Sequence, residues 1–78
     1  MLNWKINMMK LVEITDKLGQ PVFVGSRVMF YNNIYIVQEL GKPNPRNHGY
    51  VRMILESKSK TTRSVTKHSS DMVVVHQK

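Results

Sequence analysis

The side chains able to do chemistry in this sequence are cationic and aromatic, and they crowd into its second half. Lys58, Lys60, Arg63 and Lys67 recur at short intervals through a Ser/Thr-rich stretch. Lys42 and Arg46 bracket two prolines upstream of them, and Tyr50 and Arg52 follow at a spacing of two. Ammonium and guanidinium groups at this density suit phosphate oxygens, and Ser and Thr hydroxyls are ordinary phosphate donors. A tyrosine two residues from an arginine shares its strand face, and such a face stacks unpaired bases. A solvated hairpin tip accounts equally well for the run from Lys58 to Lys67, since lysines also blunt exposed strand edges.

Other chemistry is poorly served. His48 lies in a Pro/Asn loop, His68 in a polar turn and His76 near the last residue, so no two are spaced as metal ligands within one element. The five acids are scattered singly, which leaves no paired acid and base along the chain. There is no glycine-rich phosphate loop, no Gly-x-Ser-x-Gly elbow and no His-Glu-x-x-His. With no cysteine, disulfides, thiolate zinc sites and cysteine nucleophiles are excluded. The expectation is a non-catalytic binding module with no cofactor and no metal.

Charge points the same way. Residues 1–40 hold four bases and three acids, a net of +1, whereas residues 41–78 hold eight bases and two acids, a net of +6. A one-sided basic charge draws polyanions and raises their encounter rate at low salt, although it also serves plain solubility. Nucleic acid or a nucleoprotein complex is the expected partner. An acidic protein is the alternative, and no membrane is expected, because no apolar run approaches the roughly 18 residues of a span. Met1 to Met9 shows no signal-peptide pattern, its apolar stretches being broken by Asn and Lys, so a cytoplasmic location is expected.

The elements that must position these groups are short strands. Seventy-eight residues suffice for one domain. Apolar residues alternate at period two between clusters of Gly, Pro, Asn and Ser, and no segment carries a helical stripe. Leu11 to Ile14 predicts a first strand, ended by a turn in which Asp16 bonds its own downstream backbone and Gly19 takes positive φ. Val22 to Val24 is a short extended piece. Arg27 to Tyr31 and Ile34 to Leu40 predict a hairpin closed by Asn32-Asn33. Gly41 to Gly49, with two prolines and two glycines, predicts a long mobile loop that Pro43 and Pro45 stiffen. Tyr50 to Glu56 is the next strand, with Tyr50, Arg52 and Glu56 on the face opposite Val51, Met53 and Leu55. A turn over Ser57 to Lys60, a strand over Thr61 to Thr66, a 3₁₀ turn near Lys67 to Ser70 and a last strand over Met72 to Val75 complete the chain. Residues 1–10 form a tail or an extra strand, and residues 11–76 the domain.

The stretches Gly25-Ser26-Arg27-Val28-Met29-Phe30, Tyr35-Ile36-Val37, Gly49-Tyr50-Val51-Arg52-Met53 and Val73-Val74-Val75 together resemble the SH3-like small β-barrels over residues 11–75. The Ser69-Ser70-Asp71 step resembles the 3₁₀ connector of that superfold. The resemblance implies an all-β barrel of five to six short antiparallel strands. Within the superfold, the KOW and ribosomal-protein barrels bind RNA or transcription complexes, but Tyr31-Asn32-Asn33-Ile34 replaces their glycine-rich continuation. In size, basicity and Asn, Lys and Met usage the chain also resembles small early-expressed phage proteins that act on host or viral machinery.

The expected core is Val12, Ile14, Val22, Val28, Phe30, Tyr35, Val37, Val51, Met53, Leu55, Val65 and Val74. Lys58, Lys60, Arg63 and Lys67 are the expected electrostatic comb, with Lys42 and Arg46 clamping from the loop and Tyr50 and Arg52 offering the stacking face. The alternative is a protein-interaction surface built on Trp4, Met29, Tyr31 and Ile34. Methionine-rich apolar surfaces adapt readily to partners, whereas Trp4 serves equally well folded back as a plug for the end of a barrel.

Overall fold

The computed structural model describes residues 12–58 and 63–76. They form one antiparallel sheet of five strands, with no α-helix among the described residues. The strands are β1 (Arg27–Phe30), β2 (Asn33–Leu40), β3 (Tyr50–Leu55), β4 (Val65–His68) and β5 (Met72–His76). Their spatial order is β4-β3-β2-β1-β5, so a four-strand meander is followed by a return of the last strand to the first. A 3₁₀ turn over Ser69–Asp71 makes that return in three residues, and a second, Glu56–Lys58, follows β3.

Alternation decides which side chains are buried. Val28, Val37, Val51, Met53, Met72 and Val74 point inward from the strands, with Ile14 and Val22 from the preceding loop. Phe30, Tyr35, Leu40 and Val65 pack partly buried against them. Leu55 is half-buried. Val12 is not core, being 45% exposed, and residues 12–14 form no strand that would turn it inward. Met72 is core although a run of four apolar residues hid its orientation: pairing with Phe30 puts it and Val74 on the inner face.

Instead of the expected first strand, Ile14 to Val22 forms a loop closed by an isolated Thr15–Pro21 bridge and by Val22 N–H donating to the Ile14 carbonyl at 2.9 Å. Asp16 is fully buried at its centre. Its Oδ1 accepts from the backbone N–H of Leu18 and Gln20, both at 2.8 Å. Its Oδ2 accepts from Gln20 Nε2 at 3.0 Å and from Val74 N–H at 2.7 Å. Gly19 takes the left-handed conformation, φ +82°, that the turn requires. Lys17 N–H also donates to the Met72 carbonyl at 2.9 Å, and Gln20 Nε2 to the Val74 carbonyl at 3.1 Å. The loop therefore satisfies the outer backbone edge of β5, the edge left open by the sheet order. At the other end, no ladder joins β4 to β5 among the described residues; only the 3₁₀ turn links them.

The β1–β2 hairpin forms with its loop one residue earlier than expected. Phe30 pairs with Asn33, which leaves Tyr31-Asn32 as the two-residue turn, with Tyr31 at φ +57°. The Tyr31 ring meets Phe30 edge-on at 4.5 Å, a contact that offsets the strain of a non-glycine residue there. Strand β4 starts at Val65 rather than Thr61: Arg63 and Ser64 are not in a strand, and Thr61 and Thr62 lie outside the described residues.

Candidate nucleic-acid interface

Strand β3 carries its polar side chains on the outer face of the sheet. Tyr50 stands opposite His68 of β4, and Arg52 lies between Thr66 of β4 and Glu39 of β2. Glu39 reaches that position because of a β-bulge between Val37 and Glu39. Regular alternation would put Gln38 opposite Arg52 and turn Glu39 inward; the extra residue turns Glu39 out and lets Leu40 pack against the core. Arg52 Nε donates to Glu39 Oε1 at 2.9 Å. The pair is one-point. Glu39 Oε2 and both terminal guanidinium nitrogens of Arg52 have no partner among the described residues.

The aromatic rings form a row. Tyr50, 62% exposed, meets His68 at 5.0 Å between centroids with planes at 82°, and His68 meets His48 at 6.2 Å and 70°. His68 Nδ1 and Ser70 Oγ share a hydrogen bond of 2.7 Å, which orients the middle ring. His48 is delivered by the loop between β2 and β3, and that loop is tied down rather than mobile. Asn44 Oδ1 accepts from the N–H of Arg46 at 2.9 Å and of His48 at 3.0 Å, while Asn44 N–H donates to the His48 carbonyl at 2.7 Å. Asn47, at φ +63°, accepts from Thr15 N–H through its carbonyl at 2.6 Å, docking the loop on the segment before β1. Lys42 and Arg46 are exposed on this held loop, which also carries His48.

Next to Tyr50 the β2 side offers Gly41, whose N–H donates to the Tyr50 carbonyl at 2.8 Å. A Cβ there would lie 3.0 Å from that same oxygen. A hollow of about 210 Å³ lies here, lined by Glu39, Leu40, Gly41, Tyr50, Arg52 and Thr66.

Of the expected comb, the structure places Arg63 and Lys67 and the backbone of Lys58. Arg63 is exposed at the entry to β4. Lys67 pairs with Val51 and so lies on the inner side of its strand, its ammonium 5.6 Å from the centroid of the Phe30 ring at the rim of the core. Lys58 ends the 3₁₀ turn after β3, and Lys60 lies outside the described residues. Glu39, Gly41 and His68 join the site without having been singled out as binding residues. Two consecutive polar residues, Gln38-Glu39, interrupting an alternating strand are the one signal in the sequence that pointed to the bulge.

The rest of the outer face is mainly apolar. Val73, Met29 and Ile34 follow one another across β5, β1 and β2, and Ile36 pairs with Ile54 of β3. Between the two halves, Ser64 Oγ donates to Gln38 Oε1 at 2.6 Å across β3. Arg27 Nη2 donates to Glu56 Oε1 at 3.0 Å at the margin of the apolar half. Met29 and the 74% exposed Tyr31 line a second hollow, of about 270 Å³, with Lys17, Asp71 and Val73. Trp4 lies outside the described residues.

No family model, curated protein or solved structure matches the chain. Among the described residues, no three His, Asp or Glu side chains come together as metal ligands, and no helix is long and apolar enough to cross a membrane.

Proposed function

We propose that the protein is a non-catalytic module, built as an SH3-like barrel, that binds single-stranded nucleic acid across the outer face of β3 and β4. The strand order and the 3₁₀ step before β5 support the barrel reading. The observation that carries the functional reading is the aromatic row of exposed Tyr50 and half-buried His68 and His48, on the face that bears Arg52 and at the end of a loop bearing exposed Lys42 and Arg46, on a chain whose second half is strongly basic. Rings with open faces stack bases without regard to sequence, and the surrounding cations follow the phosphates. The test is fluorescence anisotropy of the purified protein with labelled single-stranded and duplex DNA and RNA across a salt series. Binding that favours single strands, with log affinity falling linearly in log salt, supports the reading. No binding even at low salt overturns it.

A second reading, a protein-docking surface, draws on a different observation: the apolar half of the outer face, where Met29, Tyr31 and Val73 line a hollow. In the same experiment it is favoured by absence of nucleic-acid binding together with self-association or capture of an acidic partner.

A further inference from the structure

The hollow beside Tyr50 has a polarity that matches one nucleobase. Part of its lining is the Glu39–Arg52 pair, in which a carboxylate offers acceptors and a guanidinium offers donors side by side, joined among the described residues through Arg52 Nε and Glu39 Oε1. Oε2, the remaining lone pair of Oε1 and the terminal Arg52 nitrogens, without partners among the described residues, belong to exposed side chains that line the hollow. Among the Watson–Crick edges of the bases, guanine alone presents two adjacent donors, N1–H and N2–H, next to an acceptor, O6. Adenine and cytosine present one donor group beside ring acceptors, and uracil or thymine one donor between two acceptors. A carboxylate that takes both guanine donors while arginine donates to O6 satisfies every group on that edge, and no other base does so. Tyr50 supplies a ring face for the same base, and Gly41 leaves the space it occupies.

We infer that this hollow is a guanine-selective subsite for an unpaired nucleotide, with the carboxylate of Glu39 reading N1–H and N2–H, Arg52 reading O6 and Tyr50 stacking the ring. The inference rests on the single-strand-binding reading above and adds base selectivity to it. Without such a carboxylate, a platform of rings and cations shows only weak base preference.

The test is anisotropy with short labelled uridine oligonucleotides that carry one central guanine, hypoxanthine, adenine or cytosine, in ribose and deoxyribose versions. Guanine is expected to bind about tenfold or more tighter than the others, the scale of one good two-point base contact. Hypoxanthine, which lacks only the N2 amine, falls below guanine. Glu39→Gln puts an amide donor against the guanine donors and removes a negative charge from the face. It is expected to abolish the preference, so that the guanine oligonucleotide binds the variant no tighter than the other three. Because Glu39 and Arg52 are exposed, the variant keeps its fold, checked by circular dichroism. Equal binding of all four bases by the native protein, or a guanine preference that survives in Glu39→Gln, overturns the subsite and leaves the single-strand reading standing. No binding of any oligonucleotide overturns both.

Discussion

Asp16→Asn removes a single negative charge at one of the most connected side chains in the structure. The native carboxylate accepts four hydrogen bonds, two at each oxygen, in a fully buried position. The asparagine carbonyl keeps the two bonds from Leu18 and Gln20 N–H, but its NH₂ faces Val74 N–H, 2.7 Å from the oxygen it replaces. Gln20 can rotate its amide to accept from the new NH₂, yet its carbonyl oxygen then faces the Val74 carbonyl, with which Nε2 was bonded at 3.1 Å. One buried backbone donor is left unsatisfied in either arrangement, at a cost of about 1–3 kcal/mol. Two charge-assisted bonds become neutral ones, each weaker by roughly 1 kcal/mol, and relief of the buried charge offsets part of this. The net loss is about 2–4 kcal/mol. For a domain of this length, whose whole stability is roughly 4–12 kcal/mol at about 0.05–0.15 per residue, that is a large share. Urea unfolding followed by far-UV circular dichroism measures it, with Asp71→Asn, at an exposed carboxylate, as the control. A midpoint for Asp16→Asn that coincides with that of the control refutes the reasoning, and with it the role of the loop as the fastening of β5.

Tyr50→Ala should leave the unfolding midpoint nearly unchanged, because the ring is mostly exposed, and weaken single-strand binding by about 1–3 kcal/mol, the worth of one stacked base; unchanged affinity in anisotropy places the bases elsewhere. Replacing Lys42 and Arg46 together by Ala should weaken binding to all sequences alike and flatten the salt slope by about 0.7 for each phosphate no longer neutralised. A salt series in which the slope does not move shows that the phosphates run past Lys58, Lys60 and Arg63 instead. Gly49→Ala places a methyl group 2.6 Å from the Lys42 carbonyl oxygen and 3.1 Å from Ile14 Cδ1, so it should lower the thermal midpoint by several degrees and weaken binding through displacement of His48; a native midpoint means that the loop yields without cost.

What the sequence made legible was whatever depends on neighbours along the chain. The alternation of Val51 and Met53 against Tyr50 and Arg52 placed the outer face correctly, and the Asp16–Gly19 turn formed by the mechanism its residues suggest. What stayed hidden depends on partners far away in sequence. Asp16 looked like a turn residue only, yet its bond to Val74 spans 58 positions and makes it part of the sheet. Val12, two residues from Ile14, reads as core, but it is exposed and in no strand among the described residues. Lys67 looked like one tooth of a basic comb. Its pairing with Val51 turns it to the inner side, toward the Phe30 ring, a fact of register that no local pattern reveals. The bulge at Gln38 acted most strongly on the site, since it exchanged an uncharged amide for a carboxylate opposite Arg52.

The two ends of the sheet explain why the proposed site lies where it does. The backbone edge of β5 is occupied by the Asp16 loop, which donates to the carbonyls of Met72 and Val74 and accepts from Val74 N–H. The edge of β4 carries no such cover among the described residues, and its strand is short and holds Thr66, Lys67 and His68. A short strand bearing a lysine resists pairing with other strands while leaving its side chains free to meet a ligand. The loop after β2 then folds over the neighbouring end of β3 and brings His48 to the rings of Tyr50 and His68. Structural hydrogen bonding is concentrated at one edge and exposed aromatic and cationic groups at the other. A nucleic-acid strand crossing β3 and β4 would therefore meet the part of the surface whose side chains the fold does not need for its own cohesion.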